Sequence, residues 1–306
     1  METRRLFLGN VTWISLFLLP LADRSPYHMD VLTTIGLYAI LALGLQIIVG
    51  FAGILNLGFA AFFGIGAYTY ALMNLHWDIS FWLALPIAGG VAALCGVLLG
   101  TPVLRVSGDY LAIVTLGFGE IARIVCTNLE ELTGGPNGLL GIAHPKILGY
   151  DFGVSSTPYY YLVLILLIFF TWTVARLKDS RIGRAWLAMR EDPIAAQTCG
   201  IPLARLSLMA FGLGAFLAGV AGCVFASKQG TITPDSFDFI LSVMILAMVV
   251  LGGLGNVSGT ILSALILGLL PEVLRDFAQF RMFFFGLAMI LVMLLRPQGL
   301  FAKRGG

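Results

Sequence analysis

Charge is scarce in this chain: Asp, Glu, Lys and Arg make up 11% of its 306 residues, where a soluble globular domain carries about 25%. Hydrophobic residues reach 59% and the mean hydropathy is +0.96. A water-soluble fold of this size cannot hide so much apolar surface, so most of it must meet lipid or other membrane helices. Cysteine is also sparse. Cys95, Cys126, Cys199 and Cys223 form no CxxC pair and read as small hydrophobes, which excludes a disulfide framework and a thiolate metal site. The three histidines, His28, His76 and His144, stand far apart in predicted loops. Neither a metal centre nor a Ser/His/Asp or Cys/His set for hydrolysis can be built from them, so an enzyme is not expected. No Gly-Lys dipeptide occurs, hence no phosphate-cradling G-x4-G-K-[ST] loop. Any ATP must be bound by a separate chain; this one is expected to bind no cofactor and no nucleic acid.

What is abundant is long apolar runs. A spanning helix needs about 20 apolar residues at about 1.5 Å rise each. Such runs are predicted at 6–21, 31–50, 54–73, 80–104, 109–127, 158–177, 206–227, 238–252, 257–271 and 280–296. The expectation is an all-α polytopic membrane helix bundle of about ten segments, a single domain over 1–306. The first run follows Arg4-Arg5, but no small-residue cleavage site follows it, so it reads as a membrane helix rather than a signal peptide. Gly252-Gly253-Leu254-Gly255 interrupts an otherwise apolar stretch; two spans, a re-entrant pair or one broken helix all fit, and two spans are favoured. The 37 glycines suit close helix approach, as do the spacings Ala215-x3-Gly219 and Ala218-x3-Gly222.

Basic residues set the orientation. With both termini in the cytoplasm, twelve of the 18 Lys and Arg fall inside and six outside (Arg24, Arg123, Lys146, Lys228, Arg275 and Arg281). The long polar connection 128–157 is then outside and 178–205 inside. Both exceed a usual connection, so each is expected to have a task.

Within the inner connection, Asp192 suits an N-cap, Pro193 the first helical position and Gly200 the left-handed stop, with Pro202 beyond. The resulting helix of about two turns is too short to stand alone. Its small face, Ala195, Ala196 and Gly200, would fit a groove on a partner, with Arg190, Glu191 and Asp192 at the rim. An ordinary basic loop that only fixes topology is the alternative, and the residues alone leave both open.

Polar groups inside the spans are few. Glu120 lies midway along 109–127, where an ionised group costs about 2.5–3.5 kcal/mol, and Arg123 shares its face one turn on. A staple between helices is the first reading of this expected buried pair, a role in the pathway or its gating the second. Asn56, among Gly53, Gly58, Gly64 and Gly66, marks a broken or re-entrant helix, which is tolerated only where it is buried or lines a cavity. Pathway lining and plain interhelical hydrogen bonding both fit. The turn Thr133–Gly138, with Asn137, faces outward and either receives a partner or is simply tight.

Several stretches together resemble a known family. They are Gly50-Phe51-Ala52-Gly53 through Asn56-Leu57-Gly58 to Tyr68; Gly108-Asp109-Tyr110 through Glu120-Ile121, leading to Thr133-Gly134-Gly135-Pro136-Asn137-Gly138; Gly183-Arg184-Ala185-Trp186 through Arg190-Glu191-Asp192-Pro193 to Gly200-Ile201; and Leu295-Arg296-Pro297-Gln298-Gly299-Leu300-Phe301. In this order they resemble the LivM-type branched-chain amino acid permeases of ABC importers. The resemblance implies a transmembrane permease subunit of the bacterial inner membrane. It implies four kinds of partner: a second homologous permease, two ATP-binding subunits that consume the ATP, a periplasmic substrate-binding protein and the lipid bilayer. It further implies that the inner connection is the coupling helix that docks into the ATPase. The importer signature there is Glu-Ala-Ala, three residues, then Gly; Ala195-Ala196 and Gly200 match it, but Ile194 stands in the glutamate position. A stand-alone secondary transporter or channel is the alternative, and predicts more intramembrane carboxylates than Glu120.

Overall fold

Small residues decide which helix lies at the centre. The structure is a computed structural model that describes residues 25–103, 109–147, 150–273 and 286. In chain order the helices are α1 (Pro26–Leu45, continued by a π-helical turn Gln46–Phe51), α2 (Phe59–Trp77), α3 (Phe81–Val103), α4 (Asp109–Asn128), the single turn α5 (Glu130–Thr133), α6 (Thr157–Asp179), α7 (Arg181–Glu191), α8 (Pro193–Thr198), α9 (Leu203–Gln229), α10 (Phe239–Gly252) and α11 (Val257–Val273). Three 3-10 turns (Gly135–Asn137, Phe152–Val154 and Pro234–Phe237) and two short antiparallel ladders are the other regular structure among the described residues. Leu139–Leu140 pairs with Thr231–Ile232, and Lys146–Ile147 with Tyr150–Asp151.

α9 is the core helix and packs on α1, α2 and α3. Backbones touch there because side chains are missing: a Cβ on Gly66 would stand 2.2 Å from the Gly219 carbonyl, and one on Gly222 2.1 Å from the Phe63 carbonyl. Lipid tails are as apolar as leucine, so such van der Waals contact, rather than escape from water, holds membrane helices together. The two small-residue spacings expected on α9 supply these approaches.

Six helices among the described residues are long and apolar enough to cross a membrane: Pro26–Phe51, Phe81–Pro102, Tyr110–Asn128, Thr157–Asp179, Leu203–Gln229 and Pro234–Gly252, with Val257–Glu272 shorter. Every predicted run from 31–50 to 257–271 has a described helix as its counterpart. The expected segments 6–21 and 280–296, the termini and the motif at 295–301 lie outside the described residues. At the glycine-rich interruption the chain folds back. α10 and α11 pack against each other, and the Ser263 hydroxyl bonds the Met248 carbonyl, so the stretch is a helical pair and not one long broken helix. Two histidines expected in loops, His28 and His76, instead occupy the terminal turns of α1 and α2.

The polar connections occupy opposite ends of the bundle. At one end Trp186 Nε1 donates to the Leu206 carbonyl (2.8 Å) and Lys178 Nζ to the Gly255 carbonyl (2.6 Å). At the other, the Tyr70 hydroxyl donates to Ala143 O (2.6 Å), and Lys228 pairs with Asp30 (2.9 Å).

Candidate functional site

The inner connection is two helices. The first, α7, was not expected. The Ser180 hydroxyl caps it by accepting from Gly183 N (3.2 Å), and its apolar side sinks Trp186, fully buried, and Met189 into the bundle. The second, α8, has the expected ends. Asp192 Oδ1 accepts from Ile194 N (2.9 Å) and Ala195 N (3.0 Å), satisfying donors that a helix start leaves open. Gly200 takes φ +81° at the stop, and Ile201 N donates back to Ala196 O (3.1 Å).

The expected small face is split. Ala196 is 4% exposed and turned into the bundle, whereas Ala195 and Gly200 are exposed and Ile194 is 77% exposed. Residues two apart lie on opposite sides of a helix of 3.6 residues per turn, so Ile194 and Ala196 cannot share a surface. The rim is split as well. Arg190, Glu191 and Asp192 are all exposed, but the Nη1 end of Arg190 reaches back to donate to the Gly50 carbonyl (2.6 Å).

Across the bundle interior, α1 does not pass directly into α2. After the π-turn, Gly53 adopts φ +74° and residues 53–58 are non-helical. Non-helical backbone at membrane depth needs its polar groups paired, and neighbours provide this. Leu57 N donates to Thr115 Oγ1 (3.1 Å), Gly58 N to Asn56 Oδ1 (2.9 Å) and Ala60 N to Ser242 Oγ (2.9 Å). Asn56 is fully buried and serves this turn, while its Nδ2 has no partner among the described residues. α4 crosses the break in backbone contact, since a Cβ on Gly58 would meet the Thr115 carbonyl at 1.9 Å.

One turn beyond that crossing is the charged group. Arg123 bonds Glu120 through Nε (3.1 Å) and Nη2 (2.5 Å), and through Nη1 it reaches Asp235 (3.2 Å) in the 3-10 turn Pro234–Phe237. The pair was expected to be buried in the bundle interior. It is not: the Glu120 and Arg123 side chains are 41% and 29% exposed, because α4 lies at the edge of the bundle with only 17% of its apolar stretch buried. The cleft beside it, lined by Leu57, Ala60, Leu116, Glu120 and Ser242, offers about 20 Å³ to a water-sized sphere, room for about one water. Asn137, itself exposed, closes the turn Gly135–Asn137, which packs on the outer end of α4 and on the 234–237 turn. Asn56, Glu120, Arg123 and Asn137 thus follow the line of α4, while Arg190 to Gly200 gather at the opposite end.

Sequence reasoning missed Thr115, Ser242, Asp235, Lys178 and Gln46. The first two are ordinary helix residues until a broken neighbour needs acceptors, and no spacing marks them. Asp235 and Lys178 carried a signal, charge at the edge of an apolar run, but their partners are 112 and 77 residues away.

A bundle of apolar helices with a broken helix, an ion pair midway along an apolar helix and a structured polar segment at one end is the build of a membrane transport subunit. Over residues 27–293 the chain matches the family described as branched-chain amino acid transport system / permease component, and it belongs to that family. It is 45% identical over 294 residues to the high-affinity branched-chain amino acid transport system permease protein LivM of Salmonella typhimurium and to that of Escherichia coli, covering 89% of this chain and 69% of each relative. It is 27% identical to LivH of Salmonella typhimurium over 87% of this chain and 91% of that protein. No solved structure matches. The chain is a multi-pass inner-membrane permease subunit of a branched-chain amino acid ABC transport system.

Proposed function

We propose that this chain works as one half of the translocation unit of an ATP-driven importer for leucine, isoleucine, valine or related amino acids. A second homologous permease supplies the other half. Two ATP-binding subunits dock on the 181–200 segment, and a periplasmic binding protein delivers substrate at the opposite end. The chain crosses the membrane about ten times with both termini in the cytoplasm, as the basic-residue bias favours. The similarity to both LivM and LivH supports pairing of two unlike permeases.

One observation carries the reading of the pathway: the partly exposed Glu120–Arg123 pair midway along an apolar helix. Charge at membrane depth does not face lipid, and the cleft beside it is too small for an amino acid. The face is therefore completed by another surface, and the path runs between the two. Ile194 and Ala195 form the exposed side of the docking helix.

The test is co-expression with candidate ATPase subunits, co-purification, and ATP-dependent uptake into vesicles. Ala195→Arg, on the exposed side of α8, is expected to abolish both co-purification and uptake while the chain still accumulates in the membrane. Retention of both sinks the docking assignment. Ion-gradient-driven transport by the isolated chain in liposomes sinks the importer reading altogether.

A further inference from the structure

Arg190 sits in the docking segment, yet its charged end belongs to the membrane helices. It closes α7, and its Nη1 donates to Gly50 O in the π-turn at 2.6 Å. A Cβ built on Gly53 would fall 2.7 Å from the Arg190 Cγ, and one on Gly255 3.5 Å from its Nη1, so the side chain lies between two glycine-bearing breaks. Lys178, at the end of α6, completes the arrangement by donating to Gly255 O (2.6 Å), and Gln46 Nε2 ties the breaks together through Gly253 O (3.2 Å).

Both segments so held are places where a helix stops. Gly50 O lies at the end of α1, where carbonyls lose the intrahelical partner and carry partial negative charge that a cation offsets. Gly255, itself buried, lies in the loop before α11, where a carbonyl outside a helix needs a donor of its own. π-turns and glycine breaks are also where helices bend most readily. Each break leads to the charged face: residues 53–58 run into α2 beside Thr115, and the 253–256 loop ends α10, whose Ser242 and capping Asp238 border the Glu120 cleft.

We propose that Arg190, assisted by Lys178, is the positioning residue that converts displacement of the 181–200 segment into a change at both helix breaks, and thereby into movement of the helices beside Glu120. This rests on the docking role given to that segment above. It adds a division of labour: Ile194 and Ala195 point outward to hold the ATPase, and Arg190 points inward to move the permease.

The experiment uses the complete importer in liposomes, with its second permease, ATPase subunits and binding protein, and leucine, isoleucine and valine as probes. Three quantities are read: ATPase subunits retained, ATP hydrolysed, and amino acid taken up per ATP. For Arg190→Ala the ATPase subunits stay bound and hydrolysis continues. Uptake per ATP falls by about tenfold or more, the scale of one lost charge-assisted hydrogen bond. Lys178→Gln lowers the ratio less, and Arg190→Lys restores part of it because an ammonium still reaches one carbonyl. Release of the ATPase subunits by Arg190→Ala would make the residue a docking contact and overturn the proposal, as would an unchanged uptake per ATP. Should Arg190→Ala fail to accumulate, a wild-type ratio in both Arg190→Lys and Lys178→Gln overturns it. Failure of the wild-type chain to bind any ATPase is a separate result that removes the docking role instead.

Discussion

Two helices of this protein are each long and apolar enough to cross a membrane, yet their surroundings are opposite. α9 has 72% of its apolar stretch buried, whereas α4 has 17%. α9 is built from small residues and is enclosed by its own chain; α4 exposes Tyr110, Ile113, Ile121 and Ile124 and carries an ion pair midway along its length. Apolarity therefore says that a helix belongs in the membrane, while side-chain size says whether another helix can sit directly on its backbone. α9 carries the fold, and α4 carries the surface at which transport is proposed.

The largest effect should come from breaking the α9 contact. Gly222→Val places carbon against the Phe63 carbonyl and should cost about 3 kcal/mol, the upper end of overpacking penalties, read as loss of folded chain in detergent thermal unfolding. The contrasting change on α4, Gly117→Ala, meets nothing within 4 Å and should leave the isolated chain as stable or up to about 1 kcal/mol more stable. Equal damage from both would mean that the burial difference does not govern stability. Between these extremes, Arg123→Ala strands Glu120 and Asp235 without their cation. It should lower vesicle uptake by an amount equivalent to about 1.5–3 kcal/mol while changing unfolding less than Gly222→Val. Smaller than the Arg123 effect is that of Asp192→Ala, which removes two cap bonds from α8. A lost cap costs about 1 kcal/mol, so ATPase-subunit affinity in titration should weaken about fivefold.

Much of this was legible beforehand. The eight runs from 31–50 to 257–271 announced helices because an apolar stretch of that length has few other uses, and the α8 boundaries were readable because Asp192, Pro193 and Gly200 act on their nearest backbone neighbours. Legibility fails where a partner is distant in sequence. Ala196 and Ile194 look equally small or apolar on paper, but only the seating of α7, anchored by Trp186, decides that Ala196 turns inward. Glu120 and Arg123 were paired correctly by spacing, yet their exposure depends on α4 standing at the bundle edge.

The sequence by itself determined the solvent, the helical class and the local punctuation, since composition and short-range hydrogen bonding need no knowledge of the fold. Tertiary structure alone decided which helix became the core, which carbonyls met Arg190 and Lys178, and which face was left uncovered. Those outcomes depend on backbone-to-backbone distances between segments far apart in the chain, where the absence of a single Cβ decides whether two helices can touch.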